Sequence, residues 1–128
     1  MSTALKVLYV DDEPDIREVA CMALELDPDI ECRGVGSGPD AMAMLTDGGY
    51  QADAVLLDVM MPGKDGPAVL AELRARGFKM PVVFITARAQ AHELARFLKF
   101  GAAGVITKPF DPMTLALELK AVLARAAR

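Results

Sequence analysis

The stretch VLYVDDEPD, residues 7–15, carries a buried strand directly into a cluster of acids. Its first four residues are apolar on both faces of an extended chain, which is typical of a parallel strand covered by helices on both sides. Asp11, Asp12 and Glu13 then place like charges side by side at the end of that strand. Two unit charges about 4 Å apart repel by roughly 4 kcal/mol at an effective dielectric near 20, so we expect the fold to offer these acids a compensating partner.

The chain has the length and composition of one globular domain, which we expect to span residues 1–128. It has 128 residues, of which 53% are hydrophobic and 25% charged, enough for a proper core. No apolar run approaches the roughly 18 residues of a membrane-spanning helix, and the first residues lack the pattern of a secretory signal. We therefore predict a cytoplasmic protein without membrane contact. A net charge of −4 has the wrong sign for a nucleic-acid partner.

The cysteines and the histidine offer little catalytic material. Cys21 and Cys32 show neither metal-binding spacing nor a CxxC motif, and we predict that both are structural. Cys32 alternates with charged neighbours and should point into the core as a small hydrophobic residue. His92 is the single histidine, which argues against a histidine-based triad or a histidine-rich metal site.

Five apolar, β-rich runs recur along the chain, and a helical pattern follows each one. Alternating βα units predict a parallel sheet with helices on both faces, and right-handed crossovers leave few topologies. We predict a (βα)5 α/β fold with strand order 2-1-3-4-5. The predicted strands are Leu5–Val10, Ile30–Val35, Ala54–Asp58, Val82–Thr86 and Gly104–Thr107.

The helical segments carry capping residues at their ends. The first is predicted over residues 15–26, with Pro14 near its first turn, and the second begins after Ser37, with Asp40 three residues later as in a capping box. The remaining signals are Gly77 after the third helix, Gly101 after the fourth, and Asp111 as N-cap of the fifth with Pro112 behind it.

Ligands of such sheets bind beyond the carboxyl ends of the strands. Four of the five strand ends carry polar groups, whereas the second strand ends in the uncharged GVGSG. Because the four strands are neighbours in the predicted order, their end groups should converge. These groups are Asp11 and Asp12 after the first strand, Asp58 in the third, Thr86 in the fourth and Lys108 after the fifth.

This combination predicts phosphoryl chemistry at a magnesium site. Clustered carboxylates raise their pKa values or recruit a cation, and all-oxygen ligation with few protein ligands suits Mg²⁺. A carboxylate beside the ion can act as a nucleophile and form an aspartyl phosphate. Lys108 and the Thr86 hydroxyl would then neutralise and bind the phosphoryl oxygens.

Each of these residues also has an ordinary structural explanation. The acids at residues 11–13 could favour the positive end of the first helix, and Asp58 could cap a turn. Thr86 is a normal strand residue, and a lysine before proline is commonly on the surface. The joint placement of matched groups on four elements favours a functional site over these separate explanations.

The sequence resembles the receiver domain of two-component response regulators, in particular single-domain receivers of the chemotaxis-regulator type. The resemblance extends from residue 6 to residue 123 and implies a flavodoxin-like fold. It implies a phosphorylation-dependent switch rather than a turnover enzyme, with only self-phosphorylation and slow autodephosphorylation. Four motifs carry it, namely YVDDEPDIR, LLDVMMPGKDG, FITA and GAAGVITKPF.

The resemblance assigns roles to the residues of the site. Asp58 would be the phosphoacceptor, Asp12 would bind Mg²⁺ directly, and Asp11 would bind it largely through water. The backbone carbonyl of Met60 would complete the protein ligands. Thr86 would donate a hydrogen bond to the phosphoryl group and Lys108 would pair with it; the bond from Lys108 to Pro109 is expected to be cis.

The sequence departs from the family pattern at positions that matter for switching. Val105 stands where an aromatic residue usually rotates inward on phosphorylation, so output must pass through Thr86 and the adjoining loop or fourth helix. Met60 and Arg88 occupy the two positions that influence loss of the phosphoryl group. Because Met60 could hinder attacking water and Arg88 could reach the phosphate, we expect modest autodephosphorylation. Glu13 is expected to point to solvent without a chemical role.

The resemblance implies two classes of partner: a sensor histidine kinase or histidine phosphotransfer protein, and a downstream protein on the face of helix 4, strand 5 and helix 5. In the fifth helix, Leu115, Leu119, Val122 and Ala126 should face the sheet. Met113, Leu117, Ala121 and Ala124 form a second apolar stripe, a candidate surface for a partner or a weak homodimer. The alternative is scattered alanines with two incidental apolar residues.

Rival functions remain at this point. A haloacid dehalogenase-type phosphatase needs Asp-x-Asp after the first strand, which is absent. In a flavodoxin, acids there would repel the cofactor phosphate. A degenerate receiver that binds partners without phosphorylation is the main alternative, favoured by Val105 and opposed by the intact site. The start at Met1 and the ending soon after the fifth helix favour a stand-alone regulator.

Overall fold

The computed structural model describes residues 4–87 and 90–127. Within them, five strands alternate with five helices. The strands coincide with the predicted runs because each is a short apolar stretch bounded by turn residues. The strands are β1 (Leu5–Val10), β2 (Ile30–Val35), β3 (Ala54–Asp58), β4 (Val82–Thr86) and β5 (Gly104–Thr107), and the helices are α1 (Pro14–Leu24), α2 (Gly38–Thr46), α3 (Gly66–Ala75), α4 (Ala91–Lys99) and α5 (Leu115–Ala126).

All neighbouring strands pair in parallel, in the order β2-β1-β3-β4-β5. The predicted (βα)5 flavodoxin-like fold is therefore confirmed. Strands β3 and β4 are buried along their whole length, as expected for central strands covered on both faces. The register aligns the ends of β3 and β4, because Asp58 lies opposite Ile85, directly before Thr86.

The helices cover the sheet in two layers with separate hydrophobic cores. One core contains Phe84 and Phe97, whose rings meet edge to face with centroids 5.2 Å apart. It joins the sheet to α2, α3 and α4. The other core joins the sheet to α1 and α5 and includes Leu24, Leu115 and Leu119. No described helix is long and apolar enough to cross a membrane.

Most of the predicted helix ends are confirmed by the capping geometry. The Ser37 hydroxyl accepts a hydrogen bond from the Asp40 backbone N–H at 3.1 Å. Gly77 and Gly101 follow α3 and α4 with φ of 89° and 102°, which non-glycine residues rarely adopt. Helix α1 ends at Leu24, two residues earlier than predicted. Beyond Leu24 the chain tightens into a turn, in which the Asp27 N–H donates to the Leu24 carbonyl at 3.1 Å instead of to a carbonyl four residues back.

The prediction for the start of α5 was wrong. Asp111 does not cap the helix; its carboxylate accepts from the Met113 N–H at 2.9 Å and its carbonyl from the Thr114 N–H at 3.0 Å. These bonds form a separate turn, and α5 begins at Leu115 with Thr114 as N-cap. An Asp-Pro pair favours a turn as well as a helix start, so the sequence signal was ambiguous.

The two faces of α5 are largely as predicted. Leu115, Leu119 and Val122 are buried, whereas Ala126 is exposed, because the sheet ends before the last turn of the helix. Leu117 is 71% exposed, and Ala121 and Ala124 are exposed as well. Met113 is also exposed, but it lies in the turn before α5 and not in the helix, contrary to the prediction.

Candidate functional site

The strand ends bring three buried polar side chains to one edge of the sheet. Asp11 follows β1, Asp58 ends β3 and Thr86 ends β4, with exposed fractions of 0%, 3% and 1%. Among the described residues, these are the polar or charged side chains that are buried. Burying carboxylates is costly unless they are paired and hydrogen-bonded, so their joint burial marks this edge as the site.

Lys108 lies between the two buried carboxylates. Its Nζ is 2.9 Å from Asp11 Oδ2 and 3.2 Å from Asp58 Oδ2. Glu13 is exposed as predicted, but its Oε1 lies 3.6 Å from the same ammonium. The bond between Lys108 and Pro109 is cis, as the resemblance implied. The Lys108 ammonium thus compensates part of the negative charge of the acid cluster.

Asp11 is held by further hydrogen bonds that the sequence did not reveal. The Tyr9 hydroxyl donates to Asp11 Oδ2 at 2.9 Å, and the Glu13 N–H donates to Oδ1 at 3.0 Å. Arg17 Nη1 donates to the Asp11 backbone oxygen at 2.7 Å. Burial and the Asp11 charge raise the pKa of Tyr9, so the phenol stays a donor. The apolar pattern of β1 concealed this role.

The buried setting also shifts the protonation of the site. Burial and the Asp11 charge raise the pKa of Asp58 to about 6, although Lys108 opposes that shift. Burial lowers the pKa of Lys108, but its hydrogen bonds and charge interactions with Asp11 and Asp58 outweigh burial and raise that pKa. Lys108 is therefore cationic near neutral pH, and metal-free Asp58 titrates unusually close to neutrality.

The carboxylates are close enough to share a cation. One oxygen from each of Asp11, Asp12 and Asp58 lies within 4.8 Å of the others. Three oxygen ligands of this kind suit a hard divalent cation that retains several waters. The residues present therefore fit a metal site with two buried carboxylates and one half-buried carboxylate.

A glycine fixes the loop between β3 and α3. A Cβ on Gly66 would lie 2.9 Å from both the Asp58 backbone oxygen and the Val59 Cα, so only glycine fits without a backbone shift. The Gly66 N–H donates to the Val59 carbonyl at 3.0 Å, and the Met60 N–H donates to Asp58 Oδ1 at 3.2 Å. The Met60 N–H therefore orients the Asp58 carboxylate, in a loop whose backbone path requires glycine at position 66.

The other predicted residues that the structure describes are not among the buried polar side chains of the site. Met60 directly follows the buried end of β3 and is 61% exposed. Val105 lies in β5 opposite Phe84 and packs half-buried against the core. Arg88 lies outside the described residues. Met113, Leu117 and Ala121 are not part of this cluster.

Comparison with known proteins identifies the family. The model of the response regulator receiver domain matches residues 7–120. The chain belongs to this family. It is 38% identical over 121 residues to the sensory transduction protein RegX3 of Mycolicibacterium smegmatis and 36% identical over 121 residues to the phosphate regulon transcriptional regulatory protein PhoB of Pseudomonas aeruginosa.

These receiver relatives are longer than the chain. The matches cover 94% and 93% of this chain but 51% and 52% of the relatives, so the chain spans about half their length. Among solved structures, the chemotaxis protein CheY4 of Vibrio cholerae superimposes with a TM-score of 0.83 at 28% identity, over 93% of this chain and 98% of that one. This likeness confirms the predicted resemblance to chemotaxis-regulator-like receivers.

Proposed function

We propose that this receiver domain is a phosphorylation-dependent switch whose phosphoacceptor is Asp58. One observation carries the proposal: Lys108 lies 3.2 Å from Asp58 and 2.9 Å from Asp11, beside a third carboxylate that completes a cation site. A lysine in an ordinary structural ion pair contacts one acid, whereas Lys108 contacts two buried acids. Such an arrangement suits a group that gains further negative charge during a reaction.

The proposed reaction is phosphoryl transfer from a phosphohistidine. An oxygen of the Asp58 carboxylate bonds to phosphorus while the P–N bond breaks and its electron pair returns to the imidazole. The Lys108 ammonium and the Thr86 hydroxyl then bind oxygens of the new phosphoryl group. Asp11, Asp12, Asp58 and the Met60 carbonyl would hold Mg²⁺, which supplies positive charge against the phosphoryl oxygens.

The site borders a groove suited to the donor protein. Ile16, Val19 and Phe110 line an apolar groove of about 420 Å³ that also includes Lys108 and Pro109. A phosphohistidine must approach within bonding distance of Asp58, so its protein has to cover this edge of the sheet. We therefore propose that a sensor histidine kinase or a histidine phosphotransfer protein binds at this groove.

The proposed output uses helix α4, strand β5 and helix α5. In α4, Phe97 alone is buried, so this helix is held by less apolar burial than the central strands and can shift at lower cost. Val105 lacks an aromatic ring that could rotate inward. We infer that phosphorylation acts through Thr86 and the following loop on α4, which biases a two-state equilibrium of this face toward a downstream protein.

In this proposed function, residues 1–128 act as one receiver that signals without turning over a substrate. A cytoplasmic location and the lack of nucleic-acid and membrane partners stay predictions from the sequence. The alternative remains a degenerate receiver that binds partners without phosphorylation, and Val105 is the residue that favours it.

The experiment is labelling with phosphoramidate, a small donor whose P–N bond resembles that of phosphohistidine, followed by intact mass measurement. With Mg²⁺, the wild type should gain one phosphoryl group and Asp58→Ala none. Asp47→Ala, which removes an exposed carboxylate of α2's end, is the matched control and should label normally. An unlabelled wild type that still binds its downstream partner would favour the degenerate receiver.

A further inference from the structure

The two cysteines, which the phosphorylation site does not use, meet across the interface between α1 and β2. Cys21 lies in α1 and Cys32 lies in β2, and their Sγ atoms are 2.7 Å apart. A disulfide bond measures about 2.05 Å, so a movement of less than an ångström separates contact from covalent linkage. Cys32 is buried and Cys21 is half-buried, which gives one sulfur a path to solvent.

The surroundings of the pair keep helix and strand close together. A Cβ on Gly34 would lie 2.7 Å from Arg17 Cγ and 3.3 Å from Cys21 Sγ, so the missing side chain lets α1 approach β2. Glu25 accepts a hydrogen bond from the Cys32 backbone N–H at 3.0 Å. The strand segment that carries Cys32 is therefore tied to the end of the helix that carries Cys21.

The two thiols are chemically unequal. The hydrogen bond from Cys32 lowers the pKa of Cys21, and the Arg17 charge adds to this effect against burial and the Glu25 charge. The hydrogen bond to Cys21 and burial raise the pKa of Cys32. Cys21 is half-buried whereas Cys32 is buried, so the Cys21 sulfur is the one that a dissolved oxidant reaches first, and its thiolate is the reactive form.

We propose that Cys21 and Cys32 form a reversible intramolecular disulfide when a hydroperoxide oxidises the protein. The Cys21 thiolate attacks the peroxide oxygen, breaks the O–O bond and becomes a sulfenic acid, while the leaving oxygen takes a proton. The Cys32 sulfur then displaces the hydroxyl, which leaves as water with the Cys32 proton. Two thiols are oxidised and one peroxide is reduced. A dithiol reductant reverses the step.

The disulfide would lock α1 onto the sheet. It closes a short loop, since the cysteines are 11 positions apart, and a loop of this size raises the melting temperature of a chain of this length by on the order of 10 °C. Arg17, one helical turn from Cys21, donates to the Asp11 backbone oxygen. Oxidation would therefore restrain the helix that supports the first acid of the phosphorylation site.

The test treats the folded wild type with hydrogen peroxide, then denatures the protein and alkylates free thiols before intact mass measurement. Reduced protein should take two alkyl groups. Oxidised protein should take none, lose the mass of two hydrogens, stay monomeric without reductant and melt on the order of 10 °C higher. Dithiothreitol should restore both alkylation sites and the lower melting temperature.

Cys21→Ala is the control, because this half-buried position tolerates a small side chain better than buried Cys32. The variant should show no peroxide-dependent rise in melting temperature and should keep Cys32 alkylatable. The proposal is overturned if oxidised wild type keeps two alkylatable thiols, accumulates a sulfinic acid on Cys21, or forms disulfide-linked dimers instead. An equal rise in melting temperature in Cys21→Ala would also overturn it.

Discussion

Lys108 resolves the repulsion at the end of β1 only in part. Its ammonium lies within 3.2 Å of Asp11 and Asp58, but one cation faces two buried acids, and Asp12 adds a third carboxylate to the cluster. Without a metal ion the site therefore retains unfavourable negative charge. That charge leaves a signature in the pH dependence of stability through Asp58, whose pKa is raised by burial and by the Asp11 charge.

Asp58→Asn should stabilise the metal-free protein at pH 7 by about 1–3 kcal/mol. The folded-state pKa of Asp58, about 6, lies above its ordinary value of 3.8. Protonation therefore favours the folded state, and this contribution is complete below pH 4 and lost as the pH rises through about 6. Asparagine removes the charge and can still accept the hydrogen bond from the Met60 N–H, while Lys108 loses its contact with Asp58 and keeps Asp11 as a partner. Chemical denaturation at pH 4 and pH 7 measures the effect.

The advantage of Asp58→Asn should shrink at pH 4 and in saturating Mg²⁺. At pH 4 the wild-type carboxyl is mostly protonated in the folded state, and Mg²⁺ stabilises a folded state that binds it. An equal advantage at pH 4 and pH 7 would show that the substitution acts through packing rather than charge. A destabilised variant at pH 7 would contradict the assigned electrostatics.

We expect Met60 to influence a second property at this scale, the lifetime of the phosphorylated state. Its side chain directly follows the site and is 61% exposed, so it can screen the phosphoryl group from attacking water. Met60→Asn should speed the loss of phosphate, because a polar side chain admits and orients water. The decay of labelled protein after donor removal measures this. A half-life of seconds in the wild type, unchanged in Met60→Asn and Arg88→Ala, would contradict it.

At the scale of elements, α5 has one face that is buried against the sheet and stabilises the fold, and another face that is exposed and available to a partner. Leu119 is fully buried against the sheet, whereas Leu117 is 71% exposed. Leu119→Ala should lower the free energy of unfolding by about 2–5 kcal/mol. Leu117→Ala should change it by less than about 0.5 kcal/mol. Urea denaturation of both variants measures the difference, and similar losses would contradict the assigned faces.

A substitution in α5 also tests the proposed partner surface. We expect Leu117→Glu to keep the fold and to weaken binding of the downstream protein or a weak homodimer, because it places a charge within the exposed apolar stripe. Sedimentation with and without beryllofluoride, a phosphoryl mimic, measures self-association. A wild type that stays monomeric in both states, together with normal partner binding by Leu117→Glu, would show that the stripe is incidental.

The individual elements also show which of their limits could be predicted from the sequence pattern. Buried parallel strands are continuous apolar runs with sharp ends, so their limits could be predicted to the residue. Helix ends depend on competing local hydrogen bonds, and the predictions were wrong at the end of α1 and at the start of α5. A turn closed by the Asp27 N–H ends α1 early, and Asp111 forms a turn ahead of α5 instead of capping it. Neither competition can be decided from the local pattern alone.

At the scale of the whole molecule, the topology of the sheet assembles the site from residues that belong to separate sequence motifs. The strand order brings the ends of β1, β3, β4 and β5 together, so residues 11 and 108 become neighbours. The candidate site could be predicted because its members stand at strand ends. Tyr9 and Gly66 could not, since an apolar strand pattern hides a hydroxyl and a glycine in a loop does not reveal its close backbone contact.

The central claim is that Asp58 carries the phosphoryl group, and its most direct test locates that group chemically. The protein is incubated with acetyl phosphate and Mg²⁺ and then reduced with borohydride, which converts an aspartyl phosphate into homoserine. Peptide mass spectrometry should find homoserine at position 58 in the wild type and no homoserine in the Asp58→Ala variant. An unphosphorylated wild type, or equal phosphorylation of Asp58→Ala, would contradict the account.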